Sequence, residues 1–408
     1  MIGAPVNGAS PRMRTLLLYA QDTRGMGHIT RTLTIANHLL ATFPHCVAYV
    51  VTRSNIAPEV AWPRHCDLIK LPSRRTPAGF ERTPEDEQAS LERFRGLRSQ
   101  ILRDTALGLA PDLVFLDHEP LGSSGEFRDG LWALKHESPG TRFVFGLRDI
   151  MDDPDHIRKK WREMGVYDAL ENLYDGIAVF GSRQLYDVAE AYDIPESVRP
   201  KLFYCGFVVR NLVPATPEEI RRQYGLPANG RLVVASVGSG RDGSAVLGHA
   251  HSAIARLQAR DPDLSAVVVT GPFMSEEEAA ALQPRATERC RQVASADVFQ
   301  LMAVADAAVC MGGYNTLCEG LMTACPLVIV PRATHKVEQL IRAELLASHD
   351  LARCIHPSEA GAESLAEALE WALARDRQTQ AQRVREVVPS FNGAAQLTGY
   401  LSPWLNGG

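Results

Sequence analysis

The segment that begins at Met311 carries the densest set of residues that could do chemistry. An apolar strand is predicted to end there. Gly312 and Gly313 then let the backbone turn sharply and approach a ligand closely, because they carry no side chain. Asn315 and Thr316 are expected to cap the helix that follows. A helix start offers free backbone N–H groups and the positive end of a dipole, so this turn is predicted to bind phosphate.

Glu319 lies one turn beyond Thr316, on the same face of the predicted helix. An acidic side chain there could accept two hydrogen bonds from a ribose diol, as the acidic residue of dinucleotide sites does. The segment is equally consistent with a strand, a turn and a capped helix that carries a surface glutamate. Both interpretations stay open at the level of the residues.

A second glycine-rich loop follows the first predicted strand, with Gly25 and Gly27 placed just before His28. It lacks the third glycine of the dinucleotide fingerprint and the lysine of a Walker loop. Because histidine changes its protonation state near neutral pH, His28 could take a proton from a hydroxyl nucleophile. The alternative is a helix-cap histidine bonded to the backbone. Arg24 and Arg31 are candidate contacts for a phosphate or carboxylate, or they are solvated.

A third loop, GSGRDG at 238–243, follows the first predicted strand of the second half. Its amide groups, Ser239 and Arg241 could neutralise a leaving diphosphate, because a reaction without a bound metal needs positive charge from the protein. Such a sequence is also a common turn. Gly271 and Phe273 follow the next strand and could form a wall for a base, although a phenylalanine there is as often part of the core.

Polar residues end two further predicted strands of the first half. Asp117 and His118 end one strand, and Arg148 ends the next. A carboxylate at this edge could orient His28 or bind acceptor hydroxyls, or it could cap the strand end. The acidic stretch at 152–156 is predicted to be a solvated loop, and the sequence predicts no metal site.

Apolar runs alternate with helical patterns in both halves of the chain. Helices are expected at 29–42 and 245–259. Strands are predicted at 15–20, 46–52, 113–117, 142–147, 176–180, 232–237, 265–270, 306–311 and 326–330. Their continuous apolar character predicts parallel sheets covered by helices on both faces. The predicted fold is therefore α/β, with two doubly wound Rossmann-like lobes that face a cleft.

A polar stretch with three prolines and two glycines separates the two halves and is predicted to be a linker. The predicted organisation is a flexible tail at 1–13, a first lobe at 14–210, a linker at 211–230, a second lobe at 231–390 and a closing helix at 391–408 that returns to the first lobe. Residues 72–104 interrupt the alternation. They are interpreted as a surface insertion and a solvated helix, or as a mobile flap whose arginines meet an anionic substrate.

The pattern Gly313-Tyr314-Asn315-Thr316-x-x-Glu319 resembles the nucleotide-sugar signature of GT-B glycosyltransferases. It is similar to the GWNSxxE core of plant secondary-product enzymes and to the C-terminal lobe of MurG-type, family 28 enzymes. Gly320, Pro326 and Pro331 extend the likeness.

Two further stretches resemble the MurG-type enzymes. The pair His335-Lys336 before Gln339 is similar to their HKxRQQ stretch, and the loop at His28 is similar to their GGH loop, which faces the acceptor. The chain departs from the patterns at Met311, where plant enzymes have a phosphate-binding histidine, and at Leu340, where MurG-type enzymes have a second glutamine.

The resemblance implies roles for several residues. Asn315 and Thr316 would contact the diphosphate, Glu319 the ribose hydroxyls, and Gln339 with Glu338 the hydroxyls of the donor sugar. With the loops, the donor-site candidates are Gly238, Ser239, Gly240, Arg241, Gly271, Phe273, Gly312, Gly313, Tyr314, Asn315, Thr316, Glu319, Glu338 and Gln339. The candidates on the acceptor side are Arg24, Gly25, Gly27, Arg31, His118 and Arg148, with His28 and Asp117 as catalytic residues.

Composition narrows the choice of partners. The chain has 408 residues and a net charge of −5, which gives no general attraction to nucleic acid. No apolar run is long enough for a transmembrane helix, and nothing supports a peripheral membrane contact. The eight cysteines show no CxxC pairing, which favours a cytoplasmic location.

The sequence therefore predicts an inverting, metal-independent glycosyltransferase that moves a sugar from a UDP-sugar to a small-molecule acceptor. The UDP-sugar is a co-substrate, and no cofactor is expected. Two alternatives stay open, which are a nucleotide-sugar 2-epimerase or hydrolase of the same fold and a non-catalytic protein that binds a nucleotide sugar.

Overall fold

The computed structural model describes residues 12–21, 27–73, 83–334 and 336–406. Within these residues the chain forms two β-sheets, and each sheet has helices packed against it. Every pairing between neighbouring strands is parallel. The predicted fold class, two Rossmann-like α/β lobes, is confirmed.

The first sheet has seven strands in the spatial order β3-β2-β1-β4-β5-β6-β7. These strands are β1 (Arg14–Ala20), β2 (Cys46–Thr52), β3 (Cys66–Lys70), β4 (Leu113–Asp117), β5 (Arg142–Arg148), β6 (Gly176–Phe180) and β7 (Leu202–Tyr204). The helices of this half are α1 (Gly27–Thr42), α2 (Pro84–Leu109), α3 (Arg128–Glu137), α4 (Pro154–Glu163), α5 (Val166–Asn172) and α6 (Val188–Ala191).

The second sheet has six strands in the order β10-β9-β8-β11-β12-β13. They are β8 (Leu232–Ser236), β9 (Ser265–Val269), β10 (Cys290–Val293), β11 (Ala307–Cys310), β12 (Leu327–Ile329) and β13 (Ala352–Cys354). The remaining helices are α7 (Pro217–Gln223), α8 (Ser244–Gln258), α9 (Glu276–Leu282), α10 (Val298–Val304), α11 (Tyr314–Met322), α12 (Glu338–Ser348), α13 (Ala362–Leu373), α14 (Arg377–Val387) and α15 (Gly393–Leu405).

Each sheet reverses its strand order once, between β1 and β4 in the first lobe and between β8 and β11 in the second. Ligands of open parallel sheets bind outside the carboxyl ends of the strands at such reversals. The loops that follow these four strands include the segments that the sequence singled out. Both lobes therefore present their candidate residues at corresponding places.

Strands with unbroken apolar runs form close to where they were predicted, because the sheet buries them on both faces. All five residues of β4, β6 and β8 are buried. Four strands were not predicted, namely β3, β7, β10 and β13. They lie at the edges of the two sheets, are short and half-exposed, and so lack the apolar run that marks a central strand.

Most of the irregular stretch at 72–104 lies in α2, a helix of 26 residues that packs on α3. Thr83 caps its start by accepting a hydrogen bond from the backbone N–H of Asp86. Arg98 is buried and donates to Glu126 Oε2 at 2.7 Å, so this arginine is part of the lobe and is not solvated. Residues 74–82, the rest of the expected flap, lie outside the described residues.

The chain crosses between the lobes twice. The stretch 211–230 includes the helix α7 as well as irregular backbone. At the other end, α15 lies against α1 of the first lobe, where His45 Nε2 is 2.9 Å from the carbonyl oxygen of Leu405 and Tyr400 stacks on Phe203. Among the described residues, no helix has both the length and the apolar character needed to cross a bilayer.

Candidate active site

His28 and Asp117 meet at the reversal point of the first sheet. His28 is the second residue of α1, and Asp117 is the last residue of β4. The distance between His28 Nδ1 and Asp117 Oδ2 is 2.6 Å. The carboxylate is fully buried, whereas 19% of the histidine side chain is exposed. The structure thus brings together the two residues that the sequence proposed as catalytic.

The carboxylate decides which imidazole nitrogen carries the proton. An ionised carboxylate accepts hydrogen bonds and cannot donate them, so His28 Nδ1 must be protonated to make this contact. The lone pair of the neutral ring is then on Nε2. Burial alone would raise the pKa of Asp117, but Arg31 and His28 outweigh it and hold that pKa below its usual value. Asp117 is therefore ionised, and Nε2 of His28 can accept a proton.

Arg31 is held inside the first lobe. Its Nε donates to Asp117 Oδ1 at 2.9 Å, and its Nη2 donates to Asp117 Oδ2 at 2.8 Å. The side chain is buried, which excludes the solvated alternative. Of the two contacts proposed from the sequence, phosphate or carboxylate, the structure shows a carboxylate, and it belongs to the protein itself.

His118 and Arg148 lie at the same edge of the first sheet. The ring of His118 is 4.8 Å from that of His28, centroid to centroid, and its Nδ1 has no hydrogen-bond partner among the described residues. Burial first, and then the positive charges of Arg148, His28, Arg31 and Lys336, hold the pKa of His118 well below its usual value. His118 is therefore neutral. Arg148 donates to the carbonyl of Met151 at 3.3 Å, while its Nε has no partner in the described part of the chain.

The turn before α11 has the open backbone that the sequence predicted. Gly312 has a φ of 83°, and a Cβ atom added to Gly313 would meet nothing within 4 Å. The expected capping role of Asn315 and Thr316 is wrong, because Gly313 is the N-cap and no side chain caps the helix. Asn315 Nδ2 instead donates to the carbonyl of Gly27 at 3.4 Å, which joins the starts of α11 and α1 across the cleft.

Tyr314 fills the contact between the lobes. Its hydroxyl donates to the carbonyl of Phe180 at 3.2 Å and accepts from the backbone N–H of Val208 at 3.3 Å. The side chain is buried, so it contacts protein and not solvent. A direct donor contact through the Tyr314 side chain, as its place among the donor candidates implied, does not fit this position.

Glu319 lies on the buried face of α11, which corrects its alternative assignment as a surface residue. Its Oε1 accepts from Nε of Arg210 at 2.8 Å, and Arg210 also donates to Asp297 at 3.1 Å. Burial raises the pKa of Glu319 above its usual value even though Arg210 lowers it. A carboxylate has about four lone-pair positions, so Glu319 retains capacity for further donors. Thr316 lies one turn earlier on the same helix and is half-buried.

Glu338 and Gln339 form the start of α12 and are both buried. Glu338 Oε2 has no partner among the described residues, whereas Gln339 Oε1 accepts from the backbone N–H of Arg332 at 3.0 Å. Further along α12, the side chain of Arg342 contacts the first lobe, where its Nη2 lies 2.8 Å from Asp149 Oδ1. Both members of that pair are buried, so it fixes α12 against the first lobe.

The loop at 238–243 packs on the loop that follows β9. The backbone N–H of Phe273 donates to the carbonyl of Ser239 at 2.9 Å, and the guanidinium of Arg241 lies 4.9 Å from the Phe273 ring centre. Gly238, Gly240 and Gly271 all have positive φ. The structure therefore brings these two candidate segments together, while Arg241 stays exposed to solvent.

A groove of about 580 Å³ opens at the carboxyl ends of β9 and β10, beside the loop that contains Gly271. It is lined by Thr270, Ala279, Ala280, Gln283, Gln292, Val293 and Ala294. The phenyl ring of Phe273 is not among the groups that line this groove.

Residues 237–397 match the glycosyltransferase family 28 C-terminal domain. An uncharacterised glycosyltransferase of Methanopyrus kandleri is 25% identical over 186 residues, which cover 45% of this chain and 50% of that protein. The solved calicheamicin glycosyltransferase CalG4 superposes with a TM-score of 0.65 at 19% identity, over 97% of this chain and 98% of that one. The second lobe therefore matches the family 28 C-terminal domain, and the chain as a whole has the GT-B fold.

A plant structure gives the same fold. Phytolacca americana UGT2, solved with UDP-2fluoro-glucose and pterostilbene, superposes on this chain with a TM-score of 0.65 at 12% identity, over 96% of this chain and 99% of that one. At such identities the solved structures show the fold alone. The chain spans half the length of the Methanopyrus relative.

Three of the candidate residues, Arg24, Gly25 and His335, lie outside the described residues. Within the described part of the chain, no group of three or more His, Cys, Asp or Glu side chains is arranged to hold a metal ion. The acidic stretch at 152–156 is less solvated than expected, because Asp152 is buried and accepts from the backbone N–H of Val337 at 3.0 Å.

Sequence reasoning missed the charged groups that join the lobes. Arg210 and Arg342 lie outside the glycine-rich segments, and their partners Asp297, Glu319 and Asp149 are 87 to 193 residues away in the sequence. Arg342 follows Gln339 by three residues, so helix periodicity placed it on the same face. That spacing was the signal that could have identified it.

Proposed function

We propose that this protein is a glycosyltransferase that moves a sugar from a UDP-sugar to a hydroxyl group of a small-molecule acceptor, with inversion at the anomeric carbon and without a metal ion. The observation that carries the proposal is the 2.6 Å contact between His28 and Asp117, which faces the open start of α11 across the cleft. The pair supplies a general base, and the helix start supplies a site for a diphosphate.

On the donor side, the diphosphate binds at the first turn of α11, next to Asn315 and Thr316. The amide groups of this turn have no carbonyl partner within the helix, and the open space at Gly313 lets a phosphate approach them. Ser239 and the exposed guanidinium of Arg241 add hydrogen bonds and positive charge as the leaving group departs.

The remaining donor contacts come from buried acidic and amide groups. Glu319 accepts hydrogen bonds from the ribose hydroxyls through the lone pairs that Arg210 does not use. Glu338, whose Oε2 is buried without a partner in the described structure, accepts from hydroxyls of the sugar, together with Gln339. A buried acceptor without a partner costs free energy, which a sugar hydroxyl would recover.

The reaction then proceeds in one displacement. His28 Nε2 takes the proton of the acceptor hydroxyl while its oxygen forms a bond to the anomeric carbon. The bond between that carbon and the β-phosphate oxygen breaks, and UDP leaves with the electron pair. Attack from the face opposite UDP inverts the configuration, and Asp117 stabilises the imidazolium that forms.

Two further parts of the proposal concern the setting of the reaction. Phytolacca americana UGT2 was solved with a UDP-sugar analogue and a small phenolic compound, and this supports a UDP-sugar donor and a small acceptor here. The sparse, unpaired cysteines support a cytoplasmic location.

The test separates the two sides of the cleft. His28→Ala should lower kcat by about 10²- to 10⁴-fold and leave UDP affinity unchanged, because a general base acts only on the acceptor proton. Glu319→Ala should weaken UDP binding by about 10- to 100-fold, since a charged acceptor is lost. Turnover is followed by mass spectrometry and UDP binding by calorimetry, with His38→Ala, on the same helix, as control.

Other outcomes would identify a different function. Release of UDP at full rate without any acceptor would show a hydrolase or epimerase. Binding of UDP with no turnover, and with no effect of His28→Ala in any assay, would show a non-catalytic binding protein. Unchanged UDP affinity in Glu319→Ala would contradict the donor site.

A further inference from the structure

Arg31 forms a two-pronged contact with the carboxylate of the catalytic pair. Its Nε and Nη2 donate separately to the two oxygens of Asp117, at 2.9 and 2.8 Å. Both side chains are buried, with exposures of 3% and 0%. A guanidinium that binds both oxygens fixes the plane of the carboxylate, which a single hydrogen bond cannot do. The oxygen that faces His28 is thereby held in place.

The same guanidinium lies between two aromatic rings from different lobes. Its central carbon is 5.3 Å from the ring centre of Phe180, at the end of β6, and 5.1 Å from that of Tyr314, the first residue of α11. These distances are within the range of cation–π contacts. The hydroxyl of Tyr314 also bonds to the carbonyl of Phe180, so the three groups form one packed unit.

We propose that Arg31 is a positioning residue that holds Asp117 against His28 and connects the catalytic pair to the start of the donor helix α11. This role rests on the proposed function of His28 as the base. Arg31 acts on His28 through Asp117, and its Nη2 also lies 3.0 Å from Nδ1 of His28. Tyr314, on α11, packs against the guanidinium, so the first turn of the donor helix contacts the group that holds Asp117.

The consequences of removing Arg31 follow from the burial of Asp117. The charged and titratable groups that face Asp117 among the described residues are Arg31 and His28, both on α1. Burial raises the pKa of this carboxyl, and the positive charge of Arg31 is the largest single influence that lowers it. Without Arg31 that pKa rises, and the carboxyl takes up a proton at a higher pH. A protonated Asp117 no longer stabilises a positive charge on His28.

The experiment compares Arg31→Gln with Arg31→Lys. Arg31→Gln should lower kcat by about 100-fold with donor KM and UDP affinity unchanged, because the base is misaligned while the donor site is intact. Arg31→Lys should recover part of this loss, since it keeps the positive charge but not the two parallel N–H donors of the guanidinium. The acid limb of the kcat profile should move to higher pH in Arg31→Gln.

A matched control is present in the same lobe. Arg14 and Asp112 form an Arg–Asp pair at the opposite end of β1, with Nη1 2.8 Å from Oδ1. Arg14→Gln removes an ion pair between the same two residue types, joined by one hydrogen bond and partly exposed, away from the cleft. It should change thermal stability but not kcat or its pH profile.

A double variant, Arg31→Gln combined with His28→Ala, distinguishes positioning of the base from general support of the fold. If Arg31 acts through the base, the second substitution has almost no further effect on kcat. An equal loss of kcat in both backgrounds would overturn the positioning role, as would unchanged kcat in Arg31→Gln. If Arg31→Gln does not fold, the same two comparisons are made with Arg31→Lys. Unchanged kcat in His28→Ala alone would instead contradict the proposed function.

Discussion

The two sides of the cleft are built from different parts of the polypeptide. On the first lobe the candidate groups are side chains, and Asp117, Arg31 and His28 hold one another in place. On the second lobe they are mostly backbone groups, exposed by glycines such as Gly271 and Gly312 with positive φ. A proton acceptor needs an oriented side chain, whereas a diphosphate needs close approach to several amides. The difference in construction therefore follows the difference in proposed chemistry.

The largest effect is expected at the buried ion pairs that join the two lobes. Arg342→Leu leaves Asp149 buried without its partner, and this should lower the free energy of unfolding by about 3–5 kcal/mol. The measurement is denaturant unfolding followed by fluorescence. If the free energy does not change, side-chain ion pairs do not hold the lobes together.

Arg260→Leu is the control for that experiment. Arg260 pairs with Glu370 at 2.6 Å, but the arginine is 77% exposed and the pair is screened by water. Its loss should change the free energy of unfolding by no more than about 0.5 kcal/mol. A similar loss in both variants would point to a general effect of removing arginine and not to burial.

Two glycine substitutions test the role of the backbone in the second lobe. Gly271 has a φ of 90°, and an added Cβ would lie 2.5 Å from the carbonyl oxygen of Gly238. Gly271→Ala should therefore cost about 1–3 kcal/mol of unfolding free energy. Gly313→Ala should cost only about 0.5 kcal/mol, because its backbone is ordinary for a helix cap and the space is open.

The effect on donor binding should have the opposite order, with the larger loss of affinity in Gly313→Ala. Gly313→Ala should weaken UDP-glucose binding several-fold, since the new methyl group occupies the path of the phosphate. Unfolding and calorimetry on both variants make the check. Unaltered UDP-glucose affinity in Gly313→Ala would remove the first turn of α11 from the proposed donor site.

The sequence predicted those parts of the molecule that depend on local signals. Continuous apolar runs located the central strands, and the polar residues after them located His28, Asp117 and the turn before α11. It did not predict the edge strands, whose residues are half-exposed and carry little apolar pattern. It also missed the pairs of Arg210 and Arg342, because their partners come close only when the two lobes pack together.

Asn315 shows a different kind of failure. Its residue type favours a helix cap, but Gly313 already provides the extended backbone that begins α11, and the amide of Asn315 reaches Gly27 of the other lobe. A contact between lobes thus replaced a local capping bond. Local preference is weaker than tertiary packing at such a position.

The last prediction concerns Glu319, an acidic side chain on the mostly backbone-built donor side. Burial raises the pKa of Glu319, and Arg210 opposes that rise. The ribose hydroxyls bind the ionised form more strongly, so UDP-glucose affinity should fall as pH drops through this raised pKa. The fall should be about fivefold, the difference between hydrogen bonds to charged and to neutral acceptors. UDP-glucose is the appropriate ligand because its diphosphate has no ionisation near neutral pH.

Arg210→Gln tests the cause of that pH dependence. Without the arginine the pKa of Glu319 rises further, so the loss of affinity should begin at a higher pH than in the unmodified protein. Glu319→Gln, which cannot ionise, should bind weakly and show no such dependence. Calorimetric titration of UDP-glucose between about pH 5 and 8, a range above the ordinary pKa of a glutamate, distinguishes these cases. A pH dependence that persists in Glu319→Gln would mean that another group controls donor binding, and the second lobe would then rely on more than one side-chain charge.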